Sequence, residues 1–158
     1  MSRFAEQYEL FYWSGLPGRG EVVRMTMAAA GVSWKDTLSN EAVMFHRRFQ
    51  NQGNIGFAPP YIQDQSNGLV LAQLPAILQY IGEKHGLSPS DPASKAVAMN
   101  VTLTIADIWQ GFHDCHHPVS VASPFEVQRD EAIAYTKRFI GGRIKQFFVY
   151  FNELLKRN

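Results

Sequence analysis

The chain reads as a small α/β domain followed by an all-helical one. Three observations carry that reading. A run of extended, aromatic-rich residues at 8–13 is followed by a helical pattern ending at Gly31. A double proline at Pro59-Pro60 opens a pair of short extended runs with an Asn67-Gly68 turn between them. Beyond residue 92 the apolar spacing is helical throughout, interrupted only near Pro118.

Tyr8-Glu9-Leu10-Phe11-Tyr12-Trp13 alternates poorly, as a strand buried on both faces does. A helix is expected to begin near Pro17 to Arg19, with Val22, Val23, Met27 and Ala30 on one stripe and Gly31 as its exit. Val32 to Asp36 reads as a second strand. The stretch from Leu38 to Asn54 is polar and loosely helical. Pro59-Pro60 removes two backbone donors and fixes two φ angles, so it belongs at a strand entrance or a turn, and a cis bond there is worth suspecting. Pro60 to Gln63 and Leu69 to Ala72 then form a hairpin about Asn67-Gly68. Pro75 stands near a helix start, Ile77, Tyr80, Ile81 and Lys84 follow at helical spacing, and Gly86 supplies a left-handed stop. Strand, helix, strand, hairpin, helix is the order of a thioredoxin-like α/β domain, here residues 1–86.

After the linker Leu87 to Pro92, Asp91 is a good N-cap with Pro92 at the first helical position. Val97, Val101, Thr104, Ile105, Ile108 and Phe112 mark one face of a helix of about 24 residues that Pro118 is expected to end. Ser123-Pro124-Phe125-Glu126 reads as a capping box for a last helix, with Ile133, Ile140, Ile144, Phe147, Phe148, Phe151, Leu154 and Leu155 as its apolar positions. Gly141-Gly142 within that pattern marks a kink or a close helix crossing. The second domain, residues 93–158, is thus read as two long antiparallel helices with an apolar stripe at Phe147, Phe151 and Leu155 short of cover.

Composition excludes several functions. Of 158 residues, 46% are hydrophobic and 18% charged, which supports a real core, and the net charge of +1 gives no pull toward nucleic acid or an anionic membrane. Cys115 is the single cysteine, so an intrachain disulfide is impossible. Neither an apolar run of about 18 residues nor a signal-peptide core stands in the sequence, and a cytoplasmic protein is expected. His113-Asp114-Cys115-His116-His117 has the residue types of a zinc site, but only His113 with His116 or His117 share a helix face and no second pair is evident, so no metal is assigned. A polar helix end favouring imidazolium is the simpler account.

Several short motifs in order carry a resemblance. They are Tyr8 to Trp13, Gly18-Arg19-Gly20-Glu21, Ala30-Gly31-Val32, the proline before the third strand, Gln73-x-x-Ala76-Ile77, and Tyr80 to Leu87. Each is weak alone; in this order and spacing the chain resembles a cytosolic glutathione transferase over nearly its whole length. The resemblance implies a Tyr-type enzyme that joins glutathione, a co-substrate, to a small electrophile and works as a homodimer. It implies that Tyr12 is the catalytic hydroxyl, supported by Arg19, with Ser14 the rival and a buried core tyrosine the plain alternative for Tyr12. Glutathione would be held by Trp13, Phe45, a cation from Arg47 or Arg48 in place of a lysine expected at Asn51, Pro59, Pro60, Gln73 and Leu74. His113 would line the electrophile pocket.

Two departures bear on affinity. The residue before the expected cis-proline usually exchanges two main-chain hydrogen bonds with the cysteinyl unit of glutathione; here it is Pro59, which has no N–H. The hydroxyl residue that usually follows the glutamine is Leu74. The family's later helices also have no counterpart before Asn158, which suggests a shortened form or a fragment.

Overall fold

A computed structural model describes residues 6–39 and 56–157. The chain divides into two compact units between Leu103 and Thr104.

The first unit is built on a four-stranded sheet. Strand β1, Tyr8–Tyr12, is buried along its whole length, so both faces are covered. It pairs in parallel with β2, Trp34–Leu38, and antiparallel with β3, Tyr61–Asp64, which pairs antiparallel with β4, Val70–Ala72. The order β2-β1-β3-β4 is the thioredoxin-like arrangement. Helix α1, Gly18–Ala29, makes the parallel crossover and buries Val23 and Met27. Helix α2, Leu74–Lys84, buries Leu74, Ile77 and Ile81. The second strand begins two residues later than the sequence suggests. Val32 still serves the helix exit, its N–H donating to Met27 O at 3.2 Å, and the strand continues to Leu38 because Tyr12 needs a partner there. The Pro59-Pro60 bond is cis, and Gly86 has the left-handed φ of 73° expected of the helix stop.

Away from the strand ends that face Tyr12, β3 closes on a buried polar cluster. Asp64, 1% exposed, accepts from Ser66 N at 2.9 Å, Ser66 Oγ at 2.6 Å, Tyr80 Oη at 2.7 Å and Lys84 Nζ. Burial alone would raise this carboxyl, but the hydrogen bonds from Lys84, Ser66 and Tyr80 outweigh it and hold Asp64 well below the usual range. Tyr8 Oη lies 2.7 Å from His85 Nε2, and burial together with the charge of Asp64 pushes its phenol above the ordinary range. This cluster fastens the hairpin turn to the end of α2.

Helix α3, Pro92–Asp114, starts as the sequence indicates, with Ser94 N donating to Asp91 Oδ1 at 2.9 Å. It ends four residues before Pro118, because Cys115 N and His116 N turn back to Phe112 O and His113 O in a tightened last turn. No capping box forms. Pro124 has an extended ψ of 154°, a 3₁₀ turn runs over Phe125–Gln128, and Gln128 does the fastening instead. Its side chain, in a residue 3% exposed, accepts from Val119 N and Ser120 N and donates to Ser120 O and Ser123 O.

Helix α4, Arg129–Arg138, passes through a π-helical turn, Phe139–Arg143, into α5, Ile144–Lys156. The buried positions are Ala132, Phe139 and Phe147, of which Phe139 and Phe147 pack with Ile108 of α3. Ile133, Ile140 and Phe148, read as apolar positions of one helix, are 40%, 55% and 60% exposed, and Leu155, expected short of cover, is 75% exposed. The extra residue of the π turn explains part of the shift: the buried positions step by seven and then by eight. Phe147, expected short of cover, is 7% exposed. The glycine pair sits in the π turn, where a Cβ on Gly141 or Gly142 would meet nothing within 4 Å. The close approach is at Gly111, whose Cβ would lie 2.4 Å from the Phe139 ring. Thr136 reaching Cys115 O and Phe139 reaching Gly111 show that the two helices run antiparallel.

Candidate functional site

The sheet register brings three distant stretches to one end of the first unit. Phe11 pairs with Tyr61, and Tyr61 with Ala72. One residue further along each strand stand Tyr12, the cis-proline Pro60 and Gln73. A strand end capped by the N-terminus of a following helix is a favourable place for an anion. Here two helices, α1 and α2, begin at that end of the sheet.

Tyr12 is 6% exposed, and its hydroxyl oxygen accepts the N–H of Arg19, in the first turn of α1, at 2.9 Å. A core tyrosine with a satisfied oxygen would look much the same in isolation. What sets Tyr12 apart is its partner, a first-turn amide that would otherwise be left for solvent or a ligand. Gly18 and Gly20 lie directly against the ring, close enough that a Cβ on either would overlap it. The sequence displays both glycines but not this contact. Ser14, the rival hydroxyl, is exposed, in the loop that holds Gly15 at φ 76°. Trp13 packs on the opposite face of the strand, against Phe11, Tyr61 and Val70.

Gln73 caps α2 with φ 70° and ψ 117° and is the sole non-glycine residue at positive φ among the described residues. Such a strained backbone costs about 1–3 kcal/mol and is found where a site needs it. Leu74 is 2% exposed with its side chain in the core, so at this position the main chain alone is left to face a ligand. Pro59 is half-buried and Pro60 buried. Phe45, Arg47, Arg48 and Asn51 lie outside the described residues.

His113 belongs to the second unit, with Nδ1 3.4 Å from Asp114 Oδ1 and its ring 5.1 Å from that of His117. Cys115 Sγ donates to Gly111 O at 3.3 Å. Among the described residues no three His, Cys, Asp or Glu side chains group to hold a metal, and no helix is long and apolar enough to cross a membrane. A cleft of about 230 Å³ in the first unit, lined by Leu78, Gly82, Lys95, Met99 and Thr102 among others, shares no residue with the Tyr12 end of the sheet.

The chain is similar in sequence and fold to known proteins. The chain is 27% identical over 154 residues to glutathione S-transferase A4 of Mus musculus, covering 96% of the chain and 63% of that protein. It is 33% identical over 105 residues to glutathione S-transferase A2 of Homo sapiens, covering 66% and 46%. Both relatives are glutathione S-transferases, and the chain is similar to the cytosolic glutathione transferase superfamily. Its fold is shared with prostaglandin synthase D of Nilaparvata lugens, at TM-score 0.70 and 19% identity over 96% of the chain and 69% of that one. The same holds for Ure2p5 of Phanerochaete chrysosporium, cocrystallised with 1-(S-glutathionyl)-2,4-dinitrobenzene, at TM-score 0.68 and 24% identity over 98% and 67%. No family model matches. The chain spans less than two thirds of the length of these two transferases.

Proposed function

We propose that the chain joins the thiolate of glutathione to small electrophiles. The observation that carries the reading is the Tyr12 hydroxyl seated on the Arg19 amide, at the end of the sheet where Pro60 and Gln73 also stand. A free thiol with a pKa of about 8.5 is only a few per cent ionised at neutral pH. One hydrogen bond from a phenol to the sulfur anion, at about 1.5–3 kcal/mol, lowers that pKa by roughly 1–2 units. Tyr12 is the donor, and Arg19 adds positive charge at the same helix start. Pro60 and Gln73 frame the peptide part of glutathione, the amide of Leu74 meets its γ-glutamyl carboxylate, and Phe45 with Arg47 or Arg48 holds the glycine end. Residues 1–86 form the glutathione-binding domain and 93–158 the helical one. The protein works in the cytoplasm as a homodimer.

The test is retention of the purified chain on immobilised glutathione, followed by turnover with an aryl halide. Tyr12→Phe should lower turnover by ~10²–10³ while glutathione affinity, by calorimetry, stays unchanged. Equal rates would remove Tyr12 from the mechanism, and loss in Ser14→Ala alone would give Ser14 the role.

A second reading, a glutathione-binding protein with little turnover, is favoured by Pro59 and by the buried side chain of Leu74, which together withhold an N–H and a hydroxyl from the ligand. Retention on glutathione without turnover is its signature.

A further inference from the structure

The first turn of α1 holds two glycines, Gly18 and Gly20, although at ordinary helical φ alanine is the better helix former by about 1 kcal/mol. Gly18, at φ 42°, needs its glycine for the backbone alone. No such need applies to Gly20, which is buried inside the turn. A Cβ on Gly20 would lie 2.7 Å from both Cγ and Cδ1 of Tyr12 and 3.2 Å from its Cβ. On Gly18 it would lie 2.3 Å from Tyr12 Oη and 3.1 Å from Cε1 and Cζ. The ring therefore rests on bare backbone at both root and tip. Between the two glycines, the Arg19 N–H holds the oxygen at 2.9 Å.

The two contacts differ in what they permit. At Gly18 the obstacle is the far end of the ring. At Gly20 it is the ring's base, which moves only if the whole side chain leaves its rotamer in a pocket that is 6% exposed. A phenolic O–H lies near the ring plane, with two orientations. An amide on one side of the oxygen leaves the hydroxyl proton to point to the other. We infer that Gly20 is a positioning residue for Tyr12: with Gly18 it forms a seat that keeps the phenol oxygen on the Arg19 amide and so aims its proton at the thiol. This rests on the reading that the Tyr12 hydroxyl serves the thiolate.

The experiment is Gly20→Ala, made both in the parent and in Tyr12→Phe. In the parent, kcat/KM should fall by about 10- to 100-fold, the cost of a misplaced catalytic group. Its pH profile should move to higher pH while glutathione Kd is unchanged. In Tyr12→Phe the same substitution should cost nothing further in kcat/KM. An equal loss in both backgrounds, or a pH profile that stays in place, overturns the inference. Should Gly20→Ala fail to fold, amide exchange decides it: the Arg19 N–H should exchange slowly in the parent and fast in Tyr12→Phe, and equal exchange overturns the seat. If Tyr12→Phe turns over normally, the thiolate reading falls, while the Arg19 exchange difference still reports on the seat by itself.

Discussion

Pro59 withholds a backbone N–H from the proposed glutathione subsite. Its neighbour Pro60 holds the cis bond, so position 59 can carry an N–H without disturbing that proline. Pro59→Val should therefore tighten glutathione by about 0.5–1.5 kcal/mol, up to roughly tenfold, read by calorimetry. Unchanged affinity would mean that the peptide part of the ligand does not pass this strand. Position 74 offers no such repair. Leu74 is 2% exposed, and a serine there would open a cavity at about 2–5 kcal/mol, more than one new hydrogen bond returns. The sequence discloses which residue types stand at these positions, because the order of short motifs numbers them. It does not disclose that the Leu74 side chain turns inward, since the first residue of a helix can face either way. Nor does it disclose that Gly18 and Gly20 touch Tyr12, a contact made across seven residues of loop and helix start.

The hairpin and helix α2 are joined by Asp64, and the consequence is a pH dependence that can be measured. The folded carboxyl sits below its unfolded value of about 3.9, so the stability it contributes is fully present above that pH and is lost as pH falls through the folded value. Asp64→Asn should cost about 3 kcal/mol near neutral pH, the low end for breaking a buried pair because Lys84 is one third exposed. The variant should also unfold with less dependence on pH below 4 than the parent, by denaturant titration; parallel curves would show that other carboxylates dominate acid unfolding. Gln128 does comparable work in the second unit. Gln128→Leu leaves the N–H groups of Val119 and Ser120 without their acceptor, and a loss of about 2–3 kcal/mol is expected in thermal melts. A loss under half that would mean that water replaces the side chain. The strands and long helices were legible because period and turn chemistry report them directly. The Gln128 loop was not, because a side chain that satisfies backbone nine residues away leaves no local pattern. The π turn likewise shifted the inner face of the last helix by a residue that no regular 3.6 count contains.

Thirteen of the seventeen buried apolar residues among the described residues lie in the first unit and four in the second. Each fully buried aliphatic or aromatic side chain is worth ~1.5–3 kcal/mol, so the first unit has ample margin and the second depends on the small cluster around Ile108, Phe139 and Phe147. Among the described residues, the most exposed large apolar side chain is not on the late helices but just before the cis-proline: Phe57 is 84% exposed. A bare phenylalanine of that kind on a sheet-flanking loop is costly unless something covers it, and the proposed homodimer would do so. In a two-fold dimer the residue is buried twice, so Phe57→Ala should weaken association by about 3–6 kcal/mol while leaving the core of the subunit intact. By sedimentation at micromolar concentration the parent should run as a dimer and Phe57→Ala as a monomer, both with the same circular dichroism. A parent that sediments as a monomer would refute the homodimer, and a Phe57→Ala variant that stays dimeric would move the interface away from this loop.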